Sequence, residues 1–271
     1  MNETHKLMGV LAHPDDETLG FGGVLAKYAE RGVETSLITA TRGERGWFGD
    51  PDDYPGPDEL GRQREGELEA AAQVLGIQEL CLLDYCDGEL DQAQAGEVIA
   101  KICRQIRKVR PQVIVTFDPF GVYGHPDHIA ISQFAGAAIV AAADAEYPGL
   151  QDTPSHRVSK LYYLAETEQS LNDYQEIFGD LVMEIDGEER RTTGWHPWAI
   201  TTVIDTQDYV QQIWQAVACH RSQMPGYQKL LELPEQQRRD LWAQQSFYRT
   251  FSLVNGGREL EKDLFSGLEE N

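Results

Sequence analysis

The chain has 271 residues, 41% hydrophobic and 25% charged, the profile of a globular protein within the size range of one α/β domain. Its 45 acidic residues outnumber 23 Lys and Arg for a formal charge of -22, which argues against nucleic acid and anionic membranes as partners because both would be repelled. No apolar run approaches the roughly 18 residues of a membrane helix, and Met1–Lys6 leads into the first apolar segment without a signal peptide, so a cytoplasmic protein is expected.

Short apolar runs then alternate with helical patterns. Leu7–Leu11 predicts a strand, Phe21–Arg31 a helix stopped by Gly32, Glu34–Ala40 a strand, and Asp58–Leu75 a helix stopped by Gly76. Next come a strand at Glu79–Leu83, a helix at Ala93–Val109, a strand at Val113–Phe117, a helix at His128–Ala143 and a strand at Val158–Leu164. Continuous apolar strands of this length are those covered on both faces. Their alternation with helices implies right-handed βαβ units and an α/β fold with an open, mostly parallel sheet. Beyond residue 165 the rhythm changes: Val182–Ile185 and Ala199–Ile204 predict added strands and Asp208–Arg221 a helix. The tail Pro225–Leu268 mixes helix with an apolar piece at Tyr248–Val254. With no linker and no repeat, one domain over residues 1–271 is expected, a core of 1–165 and a C-terminal α/β elaboration of 166–271. The scattered Cys81, Cys86, Cys103 and Cys219 read as buried free thiols.

Two stretches carry the chemistry. Ala12-His13-Pro14-Asp15-Asp16-Glu17 follows the first strand and Gly124-His125-Pro126-Asp127-His128 the fourth. In parallel sheets, ligands bind in the loops at the carboxyl ends of strands, where both stretches lie. A mononuclear zinc site for hydrolysis needs about three N/O ligands, an open position for water, and a carboxylate outside the ligand set to move a proton. His13 and Asp16, three apart in a tight turn, can converge on one ion while Asp15 faces the open side. His128 opens a helix and can project toward the first loop. His125 is open as a fourth ligand or a proton donor, and Asp127 can hold an imidazole by accepting its N–H.

These marks, with T-R-G-E at 41–44, R-E-x-E-L at 64–68, D-G-x-L at 87–90 and the glycines Gly20, Gly22 and Gly23, resemble the LmbE-like, or PIG-L, family of de-N-acetylases over residues 7 to 165. His220-Arg221-Ser222-Gln223 is similar but weaker. The resemblance implies a Rossmann-like sheet, zinc (with iron(II) as another divalent possibility) and hydrolysis of an N-acetyl group on a glucosamine-type sugar or conjugate. It implies His13, Asp16 and His128 as metal ligands and Asp15 as general base. His125 becomes a non-ligand that stabilises the oxyanion or acts as acid, with Asp127 as its orienter, and Tyr123 polarises the scissile carbonyl. Arg64 and Asp87 resemble positions that contact the sugar's polar groups, and Glu44 lies near them.

Other features have competing readings. Arg42, Arg45 and Arg64 could place cations at the site mouth for an anionic aglycone, or could pair with Glu44, Asp50, Asp52 and Asp53 and tie the loop down. Trp47, Phe48 and Tyr54 in the Gly43–Pro57 loop could wall a ligand or pin the loop. Trp195-His196-Pro197-Trp198 could form a binding platform but reads better as a packed turn, and His5 and His156 read as exposed. A Cys219–His220 site fails because helix neighbours diverge by about 100°. Rival functions are an amidase acting on a sugar-thiol conjugate at the same metal, a carbohydrate-binding module without turnover, and a nucleotide-dependent oxidoreductase. The spacing of Gly20-x-Gly22-Gly23 is wrong for the last. A homo-oligomer is compatible with all of them.

Overall fold

The protein is described by a computed structural model over residues 4–180, 182–185 and 187–268. Strand β1 (Lys6–Leu11) leads through a short turn of helix, α1 (Asp16–Leu19), into α2 (Gly22–Glu30) and then β2 (Glu34–Thr41). The long helix α3 (Pro57–Leu75) starts with proline in its first turn, where no intrahelical partner for its N–H is missed. It ends at Gly76, whose φ of 75° lets its N–H close back on Ala72 and Gln73. After β3 (Glu79–Tyr85), α4 (Ala95–Val109) and β4 (Val113–Thr116) come α5 (Gly121–Gly124) and α6 (Pro126–Ala143), then β5 (Lys160–Leu164).

The last third continues with α7 (Glu168–Phe178), β6 (Val182–Ile185), β7 (Glu188–Arg191), β8 (Thr202–Asp205), α8 (Val210–Val217), α9 (Gln228–Glu232), α10 (Glu235–Trp242) and β9 (Gln244–Ser252). The expected strand at Val182–Ile185 does not join the main sheet: it pairs antiparallel with β7 in a separate hairpin. The strand expected at Ala199–Ile204 begins instead at Thr202, after a 3-10 turn at Pro197–Ala199. Of the apolar piece at Tyr248–Val254, the part up to Ser252 belongs to β9, which lies between β5 and β8, antiparallel to both.

The sheet order is β3-β2-β1-β4-β5-β9-β8, with β1 to β5 parallel. The chain therefore runs outward one way from β1 to β3 and the other way from β4 to β5. Right-handed crossovers put α2 and α3 on one face and α4 and α6 on the other, and α8 packs beside α2 and α3. The core between these layers is aliphatic, with Leu7, Val10, Leu11, Val113, Ile114 and Val115 from the central strands wholly buried. The order reverses between β1 and β4, which are hydrogen-bonded neighbours. At such a switch point the loops leaving the two strands diverge to opposite faces and open a crevice. The two His-Pro-Asp loops are the loops that leave β1 and β4. Among the described residues no helix is long and apolar enough to cross a membrane.

Several outlying residues differ from expectation. His5 stacks on Phe265 at 4.6 Å and His156 Nε2 lies 2.7 Å from the Pro111 carbonyl, so neither is simply solvated. All four cysteines are free thiols, but only Cys103 is buried and Cys86 is exposed.

The C-terminal tail is locked to the sheet by a buried carboxylate. Glu261 takes Lys160 Nζ (2.7 Å), Arg249 Nη1 (2.8 Å) and Asn255 Nδ2 (2.6 Å) on one oxygen, and the Tyr162 and Thr202 hydroxyls (2.7 and 2.8 Å) on the other. Burial pushes this carboxyl up, but hydrogen bonds from Lys160, Asn255, Tyr162 and Thr202 outweigh it and hold its pKa down to about 2. Burial also lowers the Lys160 ammonium, so a lone ion pair here would be costly; the convergence of donors on Glu261 makes the cluster favourable. A carboxyl with a depressed folded-state pKa contributes stability above its unfolded value and loses it as pH falls toward its folded value. Glu261→Gln should therefore cost about 3 kcal/mol at neutral pH. That deficit should close between pH 4.5 and about 2. Urea midpoints of the two proteins across this range check both statements.

Candidate active site

His13 and Asp16 sit in the turn that follows β1, folded tightly by the Asp16 carboxylate. Its Oδ2 accepts the backbone N–H groups of Ala12 (3.2 Å) and His13 (2.7 Å). The turn places His13 Nδ1 3.6 Å from Asp16 Oδ2. From the other loop His128, in the first turn of α6, brings its Nε2 to 3.1 Å from His13 Nδ1 and 3.4 Å from Asp16 Oδ1. Its ring lies flat on Phe117, with centroids 3.9 Å apart and planes 3° from parallel, and its Nδ1 is buried without a hydrogen bond. On the Nδ1 side stacking, not a polar partner, aims this imidazole.

Two ring nitrogens and both oxygens of one carboxylate meet here, the N and O donor set that divalent cations take. Ligand atoms around a tetrahedral ion at about 2.0–2.1 Å stand about 3.3 Å apart. His13 Nδ1 and His128 Nε2 are 3.1 Å apart. The Asp16 carboxylate faces them with different oxygens, Oδ2 at 3.6 Å from His13 and Oδ1 at 3.4 Å from His128, so the three side chains converge on one point where a divalent cation fits. The charges are tuned in opposite directions. Burial would raise the Asp16 carboxyl, yet His128 and His13 hold it well below the usual carboxylate range. Burial pulls the His128 imidazole down to about 3.

His13 is held from behind by two carboxylates. Its Nε2 lies 3.1 Å from Asp87 Oδ1 and 3.2 Å from Asp127 Oδ2. Burial lowers the imidazole, but its bonds to Asp127, Asp16 and Asp87 win and raise it well above the ordinary value. Asp127 is wholly buried, and its two oxygens also accept the N–H groups of Gly88 (2.7 Å) and Leu90 (3.0 Å). Its carboxylate thus orients His13, whereas the resemblance had implied His125. The contact of Asp127 with His125 runs through the backbone: His125 Nδ1 accepts the Asp127 N–H at 3.1 Å. Asp87 likewise faces His13 and accepts the Arg45 N–H at 3.0 Å, while Glu44 Oε1 accepts the Asp87 N–H at 2.9 Å. Asp87 is thus committed to the protein itself, whereas Glu44 uses only Oε1 and its buried Oε2 has no hydrogen bond.

The remaining candidates ring the crevice. The His125 ring centroid is 4.6 Å from that of His13 and 4.8 Å from that of His128, and burial lowers its pKa. Tyr123 stands edge-on to His128 and His125, at 5.4 and 6.0 Å. It is carried by a strained segment in which Val122 has a φ of 64°. Asp118 holds that segment, accepting the Phe120 and Val122 N–H groups on one oxygen and Trp195 Nε1 on the other. Burial, and then the charges of Asp16, Asp15 and Asp87, raise the Tyr123 phenol and keep it protonated.

Arg64, on α3, is buried against the first loop. It donates to the Gly43 carbonyl at 2.7 Å, to the Pro14 carbonyl and, at 3.2 Å, to Asp15 Oδ2. Gly43 is required where it stands: its φ is 62°, and a Cβ there would lie 2.2 Å from the guanidinium. The arginines expected at the mouth are each engaged by acids or backbone. Arg42 pairs with Glu65 and Asp84, and Arg45 pairs with Glu89. The loop aromatics pin their own loop. Trp47 Nε1 donates to the Asp50 carbonyl, the Tyr54 hydroxyl donates to the Glu44 carbonyl, and Phe48 packs above Gly226.

Sequence reasoning missed the buried pair of Glu17 and His220, whose Oε1 and Nε2 are 2.7 Å apart, and Tyr227, whose hydroxyl donates to Asp15 Oδ2 at 2.8 Å. It also missed Glu67, which accepts both the N–H and the hydroxyl of Ser222. The H-R-S-Q resemblance was the available signal for the first and last of these. Arg64→Met should strand two buried carbonyls and a carboxylate and cost about 2–4 kcal/mol of stability. A sugar contact alone would raise KM and leave the urea midpoint unmoved.

A sequence model of the family described as PIG-L, GlcNAc-PI de-N-acetylase, matches residues 8–139. A 1D-myo-inositol 2-acetamido-2-deoxy-alpha-D-glucopyranoside deacetylase of Tsukamurella paurometabola is 30% identical over 98% of this chain and 100% of its own. Among solved structures, an N,N'-diacetylchitobiose deacetylase of Pyrococcus horikoshii aligns with a TM-score of 0.69 at 21% identity, over 92% of this chain and 84% of that one. A 4-carboxy-2-hydroxymuconate hydratase of Pseudomonas putida aligns with a TM-score of 0.64 at 17% identity, over 94% and 99%. One fold thus serves a deacetylase and a hydratase, so the architecture alone does not decide the reaction.

Proposed function

Because the chain belongs to the PIG-L, or LmbE-like, deacetylase family, we propose that it is a metal-dependent amide hydrolase that removes the acetyl group from an N-acetylglucosamine-type conjugate. The observation that carries this reading is the convergence of His13 Nδ1, His128 Nε2 and the Asp16 carboxylate, next to a carboxylate, Asp15, that is not part of it. These residues would hold zinc, and the same N and O donors also suit iron(II). When bound, such an ion acidifies a water ligand and polarises the acyl oxygen.

The chain's own groups supply the rest. Asp15 takes the proton from the attacking water, and burial raises its carboxyl toward the range a general base needs. His125 Nδ1 accepts a backbone N–H, so the neutral ring carries its proton on Nε2; burial keeps the ring neutral and Nε2 a donor. That donor and the protonated Tyr123 hydroxyl are the groups to receive charge developing on the carbonyl oxygen. As the carbon–nitrogen bond breaks, Asp15 returns the proton to the departing amine, and acetate and free amino sugar result. Asp87 and Asp127 hold His13 by Nε2, so that Nδ1 is turned toward His128 and Asp16 and would be the atom offered to a metal. The acetamido-glucopyranoside of inositol named for the relatives is the first conjugate to assay.

Asp15→Asn should keep its metal, measured by elemental analysis, and lose about 10²–10⁴-fold in kcat, scored as free amine. Full turnover in that variant would sink the mechanism. Asp127→Asn should weaken metal binding by about 10–100-fold in a chelator competition, with smaller loss once the ion is saturating.

A further inference from the structure

The C-terminal third reaches the first loop at two points. Tyr227, the residue before α9, donates its hydroxyl to Asp15 Oδ2 at 2.8 Å, and Arg64 reaches the same oxygen at 3.2 Å. Among the described residues both contacts fall on Oδ2, which leaves Oδ1 to take a proton. The second point is the backbone. Asp15 has φ 106° and ψ -27°, a conformation that a residue with a Cβ adopts only when its surroundings hold it there. Its N–H donates to Glu17 Oε2 at 2.9 Å, and Glu17 Oε1 is 2.7 Å from His220 Nε2. The Glu17 and His220 side chains are wholly buried. His220 Nδ1 has no hydrogen bond, so among the described residues the ring's polar contact is with Glu17 alone.

We propose that the His220–Tyr227 segment positions the general base: Tyr227 fixes the Asp15 carboxylate, and His220, acting through Glu17, fixes the Asp15 backbone. This rests on the reading of Asp15 as base. It makes the C-terminal third a determinant of turnover as well as of fold. Tyr227 is a positioning residue, because its hydroxyl acts through Asp15 and not on the substrate.

The test is a double-mutant cycle on the full-length, metal-loaded chain, with kcat, KM and bound metal measured for each variant. Tyr227→Phe is expected to lower kcat about 10–100-fold, the loss of one hydrogen bond to a charged group, with KM and metal content unchanged. In the Asp15→Asn background the same substitution should change the residual kcat less than about 2-fold, because the group it acts through is gone. An equal loss in both backgrounds, or no loss in the first, overturns the proposal and leaves Asp15 as base untouched. Full turnover of Asp15→Asn alone would instead overturn the reading of the base. For the second arm, His220→Gln keeps an N–H that can reach Glu17 and is expected to stay within about 3-fold of the parent. His220→Asn, one methylene shorter, should lose as much as Tyr227→Phe. Equal kcat values for the Gln and Asn variants overturn the His220 arm.

Discussion

Asp15, Asp16, Glu17, Asp87 and Asp127 bring five carboxylates to the carboxyl ends of β1 and β4, where each is partly or wholly buried. A buried anion is unfavourable unless cations or N–H dipoles meet it, and this chain is strongly acidic. Much of the site's architecture answers that constraint. Arg64 serves Asp15, His220 serves Glu17, and His13 stands among Asp16, Asp87 and Asp127. Backbone N–H groups of Ala12, His13, Arg45, Gly88 and Leu90 meet what is left. The same excess of negative charge makes a divalent cation electrostatically welcome at the point where His13, His128 and Asp16 converge.

Position follows from topology. Because the strand order reverses between β1 and β4, their loops part and leave a crevice between two rigid strands that share hydrogen bonds. His13 and His128, 115 residues apart, meet across that crevice. Their spacing is set by a parallel ladder whose core side chains are fully buried, which is a stiffer support than loop-to-loop contact. Likeness to both a deacetylase and a hydratase shows how little of the chemistry the scaffold itself decides. What narrows it is the set of side chains in the two loops.

The C-terminal third supplies strands β8 and β9, the buried clamp on Glu261 and the segment that braces the first loop. Ser222 binds Glu67 on α3, and Gln223 binds the Gly46 carbonyl. The loop after β2 is therefore held from the same segment that reaches Asp15. Support for Asp15 and support for the loop beside it are mechanically one structure.

The parallel core was legible from local pattern alone. Continuous apolar runs of strand length, helices closed by Gly76 and the placement of both His-Pro-Asp loops after strands depend on neighbours a few residues apart, and those expectations carried over with shifts at the ends of elements. The convergence of His13, Asp16 and His128 was also legible, because two short motifs at strand ends of one sheet have few places to meet. Which carboxylate would serve which imidazole was not. Asp127 turned to His13 and away from His125, Asp87 and Arg64 bonded to the protein, and Arg42 and Arg45 found Glu65, Asp84 and Glu89. Each of those choices depends on side-chain directions to within an ångström or so. Tyr227 and His220 lie about 200 residues from the groups they hold, and no periodicity in the chain records that distance. Only the packing of α8 against α1, which brings the segment between α8 and α9 onto the first loop, decides it, because hydrogen bonds are selected by proximity in space after the sheet and its helices have closed.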